Sequence, residues 1–320
     1  MDEFDLIKTY FLPLASEGEP SFGLKDDVAC WSPPLGHSIV LSKDIMVSGV
    51  HFFEDENPEN IAKKLLRVNL SDLASSGARP HGYLLGLMLD KDADNNWLKA
   101  FARGLKADQD DFGITLFGGD TVKSPHALCL SLTVIGSVKG NDKLSRDGAK
   151  VGDNIYVTGA IGDAALGLLC LKGDLPMDDY LVQRLRLPDP RLNVGQALLN
   201  LGIKAAIDVS DGLLGDLEHI LKASNVGAKI EKLKIPLSKP ASRFFSFSNK
   251  YWDQILGGGD DYELLFTGPI ELDNKIKDLG KTLDVPITKI GTIIENKKLQ
   301  LLDPKGEEEQ INVKGYNHFK

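Results

Sequence analysis

The sequence predicts an α/β fold divided between two domains. The chain has 320 residues, about twice the common size of one domain. Short apolar segments typical of strands alternate with longer segments in which apolar residues repeat at helical spacing. At 141–153 the composition shifts to Lys, Asp, Gly, Ser and Arg (NDKLSRDGAKVGD). This shift indicates a boundary between an N-terminal domain, 1–145, and a C-terminal domain, 146–320.

The first domain is expected to hold two helices and four strands. Asn57 followed by Pro58 predicts the N-terminus of a helix that ends at Gly77. Asn95 is expected to cap a second helix, which ends before Gly113. Strands are predicted at 38–42, 83–89, 114–117 and 128–138.

The second domain repeats the alternation of strands and helices. Strands are predicted at 155–158, 205–209 and 263–267, with short strands near Thr288 and Leu299. Helices are predicted at 162–171, 191–201, 213–224 and 270–283.

The two halves share a short acidic motif. Ser71-Asp72 precedes Gly118-Gly119-Asp120, and Ser210-Asp211 precedes Gly258-Gly259-Asp260. The second aspartate follows the first by 48 positions in one half (72 to 120) and by 49 in the other (211 to 260). Either the match arose by chance, or two related halves contribute matching acidic groups to one cleft.

Composition excludes several classes of function. Asp and Glu number 46 and Lys and Arg 37, a net charge of −9, which argues against non-specific binding of nucleic acid or an anionic membrane. No apolar run approaches the roughly 20 residues of a membrane span. The acidic N-terminus lacks the pattern of a signal peptide. Cys30, Cys129 and Cys170 lie far apart, so we expect reduced thiols and a cytoplasmic protein.

Aspartates that follow apolar runs or occupy small-residue turns are the main candidates for chemistry. Each one alone is also compatible with a cap or turn residue. Several carboxylates gathered at the carboxyl ends of strands would repel one another unless cations lay between them. Hard oxygen ligands favour Mg²⁺, which commonly bridges substrate phosphates. The set comprises Asp26, Asp27, Asp44, Asp72, Asp120, Asp208, Asp211, Asp260 and Asp261.

Nine ordered motifs carry a family resemblance over nearly the whole chain. They are DDVA, SGVHF, RVNLSDLASSGA, FGGDT, RDGAKVGD, YVTGAIGDAALGL, AIDVSDGL, GGDDYELLF and KGYNHF. In this order they resemble the bacterial thiamine-monophosphate kinases, which belong to a superfamily of ATP-binding enzymes with aminoimidazole ribonucleotide synthetase. The resemblance implies the two-domain fold of that synthetase, a homodimer formed through the N-terminal sheet, and a cleft for ATP and several Mg²⁺. It implies phosphorylation of thiamine monophosphate to thiamine diphosphate.

The resemblance also implies roles for particular residues. The implied metal ligands are Asp27, Ser42, Asp44, Asp72, Asp120, Asp208 and Asp211, of which Asp44, Asp120 and Asp208 are expected to matter most for catalysis. The implied ATP contacts are Gly119, Asp120, Arg146 and Ser210. The implied thiamine-phosphate contacts are His51, Asp260 and Tyr316.

Four positions depart from the pattern of the family. Lys25 and Lys43 stand within the usual G-x-G-D-D and S-T-D motifs, Val122 replaces a Thr, and Asp260 replaces a Glu. Lys43 adjoins Asp44, so its ammonium is expected to approach the phosphate site and to take the place of one Mg²⁺. The alternative is a solvated side chain, because neighbours along a strand face opposite sides.

Three other functions stay open at this point. One is the reaction of another enzyme of the same superfamily. A second is nucleotide binding without catalysis, with lysines in the metal sites. A third is a metal-dependent phosphatase, which would turn over without ATP.

Overall fold

The computed structural model describes residues 2–245, 251–311 and 315. The chain divides into two compact units, each with its own sheet. The first unit contains the residues up to Leu73 together with Ala78–Asp142, and the second contains Ala74–Gly77 and the residues from Lys143 onward. No helix among the described residues is long and apolar enough to cross a membrane.

The first unit is a four-stranded mixed sheet with helices on one side. Its elements are α1 (Glu3–Leu6), β1 (His37–Val47), α2 (Pro58–Ser76), β2 (Arg79–Leu89), α3 (Asn95–Phe112), β3 (Thr115–Lys123) and β4 (Cys129–Lys139). The strand order is β1-β4-β2-β3. Strands β1 and β2 run antiparallel to β4, and β3 runs parallel to β2.

Short polar side chains set the starts of the two long helices. The side chain of Asn57 accepts a hydrogen bond from the N–H of Glu59 at 2.9 Å, as the sequence predicted for the start of α2. Asp94, rather than Asn95, caps α3 by accepting from the N–H of Trp97 at 2.8 Å. Gly113 ends α3 in the left-handed conformation.

One face of this sheet is covered by α2 and is apolar. Leu130 and Leu132 of β4 and Leu85 of β2 are buried there. Gly136 lets α2 approach β4, because a Cβ added at this glycine would lie 3.0 Å from the side chain of Leu73. Arg67 of α2 contacts the fully buried Asp108 of α3 at 2.7 Å and ties the two helices together.

The opposite face, which we call the open face, is also largely apolar. The strand pairings place on it Ile39, Leu41, Lys43 and Ile45 of β1, Ser131 of β4, Leu84 and Gly86 of β2, and Asp120 and Val122 of β3. Five of its large apolar side chains are 41–62% exposed, namely Ile39, Leu41, Ile45, Leu84 and Val122. The first unit therefore has an unusual, solvent-facing apolar sheet surface.

The second unit surrounds a seven-stranded sheet with helices. Its strands are β5 (Asn154–Thr158), β6 (Ala206–Asp208), β7 (Gly227–Glu231), β8 (Leu264–Gly268), β9 (Ile287–Ile294), β10 (Leu299–Leu302) and β11 (Glu308–Glu309). Its helices are α4 (Asp163–Leu171), α5 (Asp179–Arg186), α6 (Leu192–Asn200), α7 (Leu213–Ser224), α8 (Lys239–Phe245), α9 (Trp252–Gly257) and α10 (Asp273–Thr282). The strand order is β11-β10-β7-β9-β5-β8-β6. Leu166, Ile207, Leu217 and Ile290 lie in its buried core.

The predicted two-domain mixture of helices and strands is confirmed, but the expectation that the aspartates lie at the carboxyl ends of strands does not hold for Asp44 and Asp120. Most neighbouring strands in both sheets are antiparallel, and only β2–β3 and β7–β10 are parallel. Asp44 and Asp120 lie within β1 and β3 rather than beyond their ends. Strand β1 is longer than the predicted 38–42, because its pairing with β4 continues beyond Ser42 to Val47.

Candidate functional site

In the first unit, β1 and α2 bring together a compact polar group. Ser42 and Asp44 are two positions apart on β1, so both side chains point to the helix-covered face. The hydroxyl of Ser42 donates to the carboxylate of Asp72 on α2 at 2.5 Å. Asn69, one turn before Asp72, accepts a hydrogen bond from the N–H of Asp44 at 3.1 Å. These bonds hold the strand carboxylate and the helix carboxylate in one place.

The environment of Asp44 disfavours its negative charge. Burial, with a further contribution from the charge of Asp72, raises its pKa to about 6. Two carboxylates held together in this way favour a cation beside them.

Ser42, Asp44 and Asp72 therefore fit Mg²⁺, which the family implies. They offer only oxygen ligands, as Mg²⁺ prefers. No group of three or more His, Cys, Asp or Glu side chains suited to a metal occurs among the described residues. Mg²⁺ does not need such a cage, because it commonly binds through one or two carboxylates, several waters and substrate phosphates.

Two implied metal ligands of the first unit do not join this group within one chain. Asp120 pairs with Gly86, and Gly86 with Ser131, which places Asp120 on the open face rather than beside Asp44. Asp27 lies in an exposed segment that precedes β1. The family resemblance therefore assigns to one metal site residues that do not lie together within a single chain.

Lys43 does not lie beside Asp44 within one chain, although the two residues are neighbours along β1. Lys43 alternates with Ser42 and Asp44 and lies on the open face, where its ammonium donates to Ser131 Oγ at 2.5 Å. The physical reason is the two-residue repeat of a strand, which sends adjacent side chains to opposite faces. Lys25 is exposed in the segment that precedes β1.

His51 lies in the turn that follows β1. The N–H of Val47 donates to its Nδ1 at 3.0 Å, so Nδ1 is the unprotonated nitrogen of the neutral ring and Nε2 carries the hydrogen. The ammonium of Lys64, a buried residue of α2, lies 3.4 Å from the carbonyl oxygen of His51. The bond from Val47 orients the ring, and the contact with Lys64 holds the backbone of His51 at the end of β1.

In the second unit, the turn after β6 carries three of the implied residues. Asp208 is the buried last residue of β6, and Ser210 and Asp211 follow it, half-buried. Asp216, on the first turn of α7, accepts hydrogen bonds from the N–H groups of Ser210 and Asp211, each 3.0 Å long. Asp216 is itself buried, and burial raises its pKa to about 7. The sequence analysis did not select it.

Glycines let the turn at 210–212 pack directly on the segment at 257–260. A Cβ at Gly212 would lie 2.6 Å from the backbone of Gly257, and a Cβ at Gly259 would lie 2.3 Å from the carbonyl oxygen of Ser210. The N–H of Asp260 donates to that same carbonyl at 2.9 Å. Ser210 and Asp260, implied contacts of nucleotide and substrate, are thus joined through their backbones.

Buried ion pairs support the backbone after Asp260, where Asp260 and Tyr262 both have positive φ angles, 62° and 51°. Asp261 is buried and accepts from the N–H groups of Gly162, at 2.7 Å, and Ala164, at 3.3 Å. The pairing of Glu263 with Arg184 and Arg191 has distances of 2.9 and 2.6 Å. Strained conformations persist only where their surroundings hold them, and they cluster at functional sites.

Arg146 lines a pocket of the second unit. The pocket has a volume of about 390 Å³, and its lining includes Ser76, Lys143, Ser145, Arg146 and Ile207. Arg146 and Lys143 are both exposed. Two cationic side chains beside neighbouring hydroxyl groups suit an anionic ligand such as a phosphate. Tyr316 lies outside the described residues.

The sequence analysis missed Asn69 and Asp216. Asn69 carried a periodic signal, because it lies three positions before Asp72 on one face of α2. Asp216 had no such signal, because its partners are the backbone N–H groups of a turn.

Comparison with known proteins gives full-length matches. The family "AIR synthase related protein, N-terminal domain" matches residues 25–138, and its C-terminal domain counterpart matches 150–303. Thiamine-monophosphate kinase of Escherichia coli strain K12 is 40% identical over 325 residues, 99% of this chain and 98% of that protein. The crystal structure of thiamine-monophosphate kinase from Stenotrophomonas maltophilia K279a has a TM-score of 0.81 and 39% identity, and the match covers 89% of this chain and 91% of that chain. The structure of AaThiL complexed with AMPPCP and TMP has a TM-score of 0.78 and 28% identity, and the match covers 99% and 97%.

Proposed function

Because the chain belongs to the thiamine-monophosphate kinases of the AIR synthase related family, we propose that it phosphorylates thiamine monophosphate with ATP. The products are thiamine diphosphate and ADP. The observation that carries the proposal is the full-length likeness to kinases of this name and to AaThiL, a structure complexed with AMPPCP and TMP. Residues 1–145 are proposed to bind ATP and Mg²⁺ and to dimerise, and residues 146–320 to complete the active site.

The acceptor in this reaction is a phosphate monoester, which needs little activation. Its second pKa is about 6, so its oxygen is already largely anionic near neutral pH. A strong general base is therefore unnecessary, and the main barrier is the approach of one anion to another. The protein therefore has to bind the phosphates of ATP and of thiamine monophosphate, align them, and exclude other phosphate acceptors such as water.

Ser42, Asp44 and Asp72 are the proposed centre of Mg²⁺ binding. When bound, Mg²⁺ neutralises phosphate charge and helps to align the donor and acceptor oxygens. The hydrogen bonds from Ser42 to Asp72 and from the N–H of Asp44 to Asn69 keep these oxygens in place before any ligand arrives. The further proposed metal ligands are Asp27, Asp120, Asp208 and Asp211.

The remaining proposed contacts belong to ATP and to thiamine monophosphate. Arg146 supplies a guanidinium to the phosphates of ATP, with Ser210, Gly119 and Asp120 as further contacts. Support comes from the pocket that Arg146 shares with Lys143. On the substrate side we propose His51, Asp260 and Tyr316. His51 would donate from Nε2, because its Nδ1 already accepts from Val47.

We also propose a homodimer formed through the open face. The apolar side chains of that face are half exposed in a single chain, and a patch of this kind marks an interface. A second copy of the same face is the simplest cover, since most homodimers pair one patch with itself around a two-fold axis. The exposed thiol of Cys30 is compatible with the reducing cytoplasm, which is the proposed location.

A coupled assay of ADP release, with and without Mg²⁺, tests the function. Thiamine monophosphate is compared with a panel of other phosphate monoesters. We expect release of ADP that requires both thiamine monophosphate and Mg²⁺. Binding of ATP without turnover would indicate a catalytically silent nucleotide-binding protein, and release of inorganic phosphate without ATP would indicate a phosphatase. Either result overturns the proposal.

Substrate-side residues can be tested separately from the nucleotide site. His51→Ala should raise the KM for thiamine monophosphate more than the KM for ATP. The matched change at His126, in the exposed turn before β4, should leave both constants unchanged. A larger rise in the KM for ATP would contradict the assignment of His51.

A further inference from the structure

The open face of the first unit carries two opposite charges among exposed apolar side chains. Lys43 lies on β1 and Asp120 on β3, and both are exposed. Around them lie Leu41, Ile45 and Leu84, which are between 41% and 62% exposed. Exposed apolar side chains favour burial of this surface. Burial is costly, however, unless the charges of Lys43 and Asp120 are each paired.

Lys43 and Asp120 cannot pair within one chain. Strands β4 and β2 lie between β1 and β3, and adjacent strands are about 4.8 Å apart, so the two residues lie roughly 14 Å apart across the sheet. The ammonium of Lys43 reaches only as far as Ser131 on β4. Asp120 accepts a hydrogen bond from the N–H of Thr121 at 2.9 Å, and no ion pair of Lys43 or Asp120 occurs among the described residues.

The space between the two charges is open. Ser131, Gly86 and Asp120 are successive partners across β4, β2 and β3 and form one row on the open face. A Cβ at Gly86 would meet its nearest neighbour, the Cβ of Ser131, at an ordinary 3.4 Å. The fold of a single chain thus has room for a side chain at Gly86. Because Gly86 has no side chain, the surface beside Asp120 is open to a side chain from another molecule.

We propose that Lys43 of each copy pairs with Asp120 of the second copy when two open faces meet. In a two-fold interface, residue i contacts residue j and residue j contacts residue i, so one Lys and one Asp per chain form two equivalent pairs. Each pair neutralises charges whose burial in the interface would otherwise be costly. In this pair the ammonium of Lys43 takes the place of one of the several Mg²⁺ ions of the proposed function, the one beside Asp120. The inference rests on the homodimer that is part of the proposed function. It names the two residues that fix how the two open faces are aligned.

Charge reversal tests the pairing by dimer dissociation, without using activity. Sedimentation equilibrium over a dilution series gives the dissociation constant for the wild-type protein, Lys43→Glu, Asp120→Lys and the double variant. Each single variant should weaken the dimer about tenfold or more, because like charges then meet across the interface. The double variant should restore the dissociation constant to within about threefold of wild type. Lys99→Glu, an exposed lysine on α3, is the matched control and should have no effect.

The outcomes separate this inference from the proposals on which it rests. A wild-type protein that is monomeric at all concentrations overturns the homodimer and the pair together. A wild-type dimer with unaffected single variants, or a double variant that is not restored, overturns the pair alone. Circular dichroism checks folding, and Lys43→Thr replaces Lys43→Glu if the latter does not fold; it should also weaken the dimer. Failure of the ADP assay would leave these measurements unchanged.

Discussion

The side chain of Asp216 holds the backbone of Ser210: its Oδ2 accepts the N–H of Ser210 at 3.0 Å and also that of Asp211 at 3.0 Å. The carbonyl of Ser210 in turn accepts the N–H of Asp260 at 2.9 Å. One buried carboxylate therefore fixes a turn that carries a proposed nucleotide contact and, through it, a proposed substrate contact.

We expect Asp216→Ala to lower kcat/KM for ATP about tenfold or more, because the turn at 210–211 loses the one side-chain oxygen that accepts both of its N–H groups. Asp216→Asn retains an acceptor oxygen and should recover most of the activity. Asp178 is the matched control, since it accepts the N–H groups of Tyr180 and Leu181 at the start of α5 in the same way. Asp178→Ala should cost about 1 kcal/mol of stability without a change in the KM for ATP. Equal kinetic effects of the two alanine variants would show that Asp216 is only a helix cap.

Asp44→Asn should stabilise the protein at pH 8 in the absence of Mg²⁺ while removing most of its activity. Burial and the neighbouring charge of Asp72 raise the pKa of Asp44 to about 6, so its ionised form is disfavoured in the folded protein. An amide removes that penalty but is a weaker metal ligand. Thermal unfolding with and without Mg²⁺ measures both effects, and the stabilisation by Mg²⁺ should decrease. Asp111→Asn, an exposed change on α3, is the control. Wild-type turnover of Asp44→Asn at limiting Mg²⁺ would exclude Asp44 from the metal site.

Stability should fall as the pH rises from about 4 to 8, in part because of Asp261. Burial raises the pKa of Asp261 from 3.8 to about 8, against hydrogen bonds from Gly162 and Ala164, and the charge of Asp163 adds to the rise. The folded state therefore binds the proton more tightly than the unfolded state. This contribution is complete below pH 4 and is lost as the pH passes through 8.

Asp261→Asn should flatten this part of the pH dependence, measured as the difference in Tm between pH 5 and pH 8.5. Asp278→Asn, an exposed change on α10, should keep the wild-type slope, because the pKa of Asp278 is lowered by Lys281 and the group is already ionised over this range. An unchanged slope in Asp261→Asn would mean that Asp261 does not titrate there.

Gly259→Ala should destabilise the second unit by several kcal/mol. Gly259 has a φ of 71°, and its added Cβ would lie 2.3 Å from the carbonyl oxygen of Ser210. Gly202 has a similar φ of 82° but open space around it, so Gly202→Ala should cost only the conformational strain, about 1 kcal/mol. Urea unfolding of both variants separates backbone strain from the steric clash. Equal losses would contradict the close packing of the turn at 210–212 on the segment at 257–260.

Local chemistry explains which parts of the fold were predictable. Asn57, Pro58 and Gly77 delimit a helix through caps that act within a few residues, and α2 runs from Pro58 to Ser76. The cap of α3 was assigned one residue late, to Asn95 instead of Asp94, because neighbouring polar residues compete for the same role. Helix α5 and strand β7 were not predicted; their short segments lack a long periodic pattern.

The sequence by itself determined the family and the residue types of the candidate site, because ordered motifs persist whatever the packing around them. Alternation along β1 already required Lys43 to face away from Ser42 and Asp44. Only the tertiary structure decided which of those faces α2 covers, and so which side chains meet Asp72. It likewise placed Asp120 on the open face and Asp216 beneath the turn at 210–211. The physical reason is that strand pairing and helix packing join residues tens of positions apart, and no local pattern encodes which distant partner covers a given face.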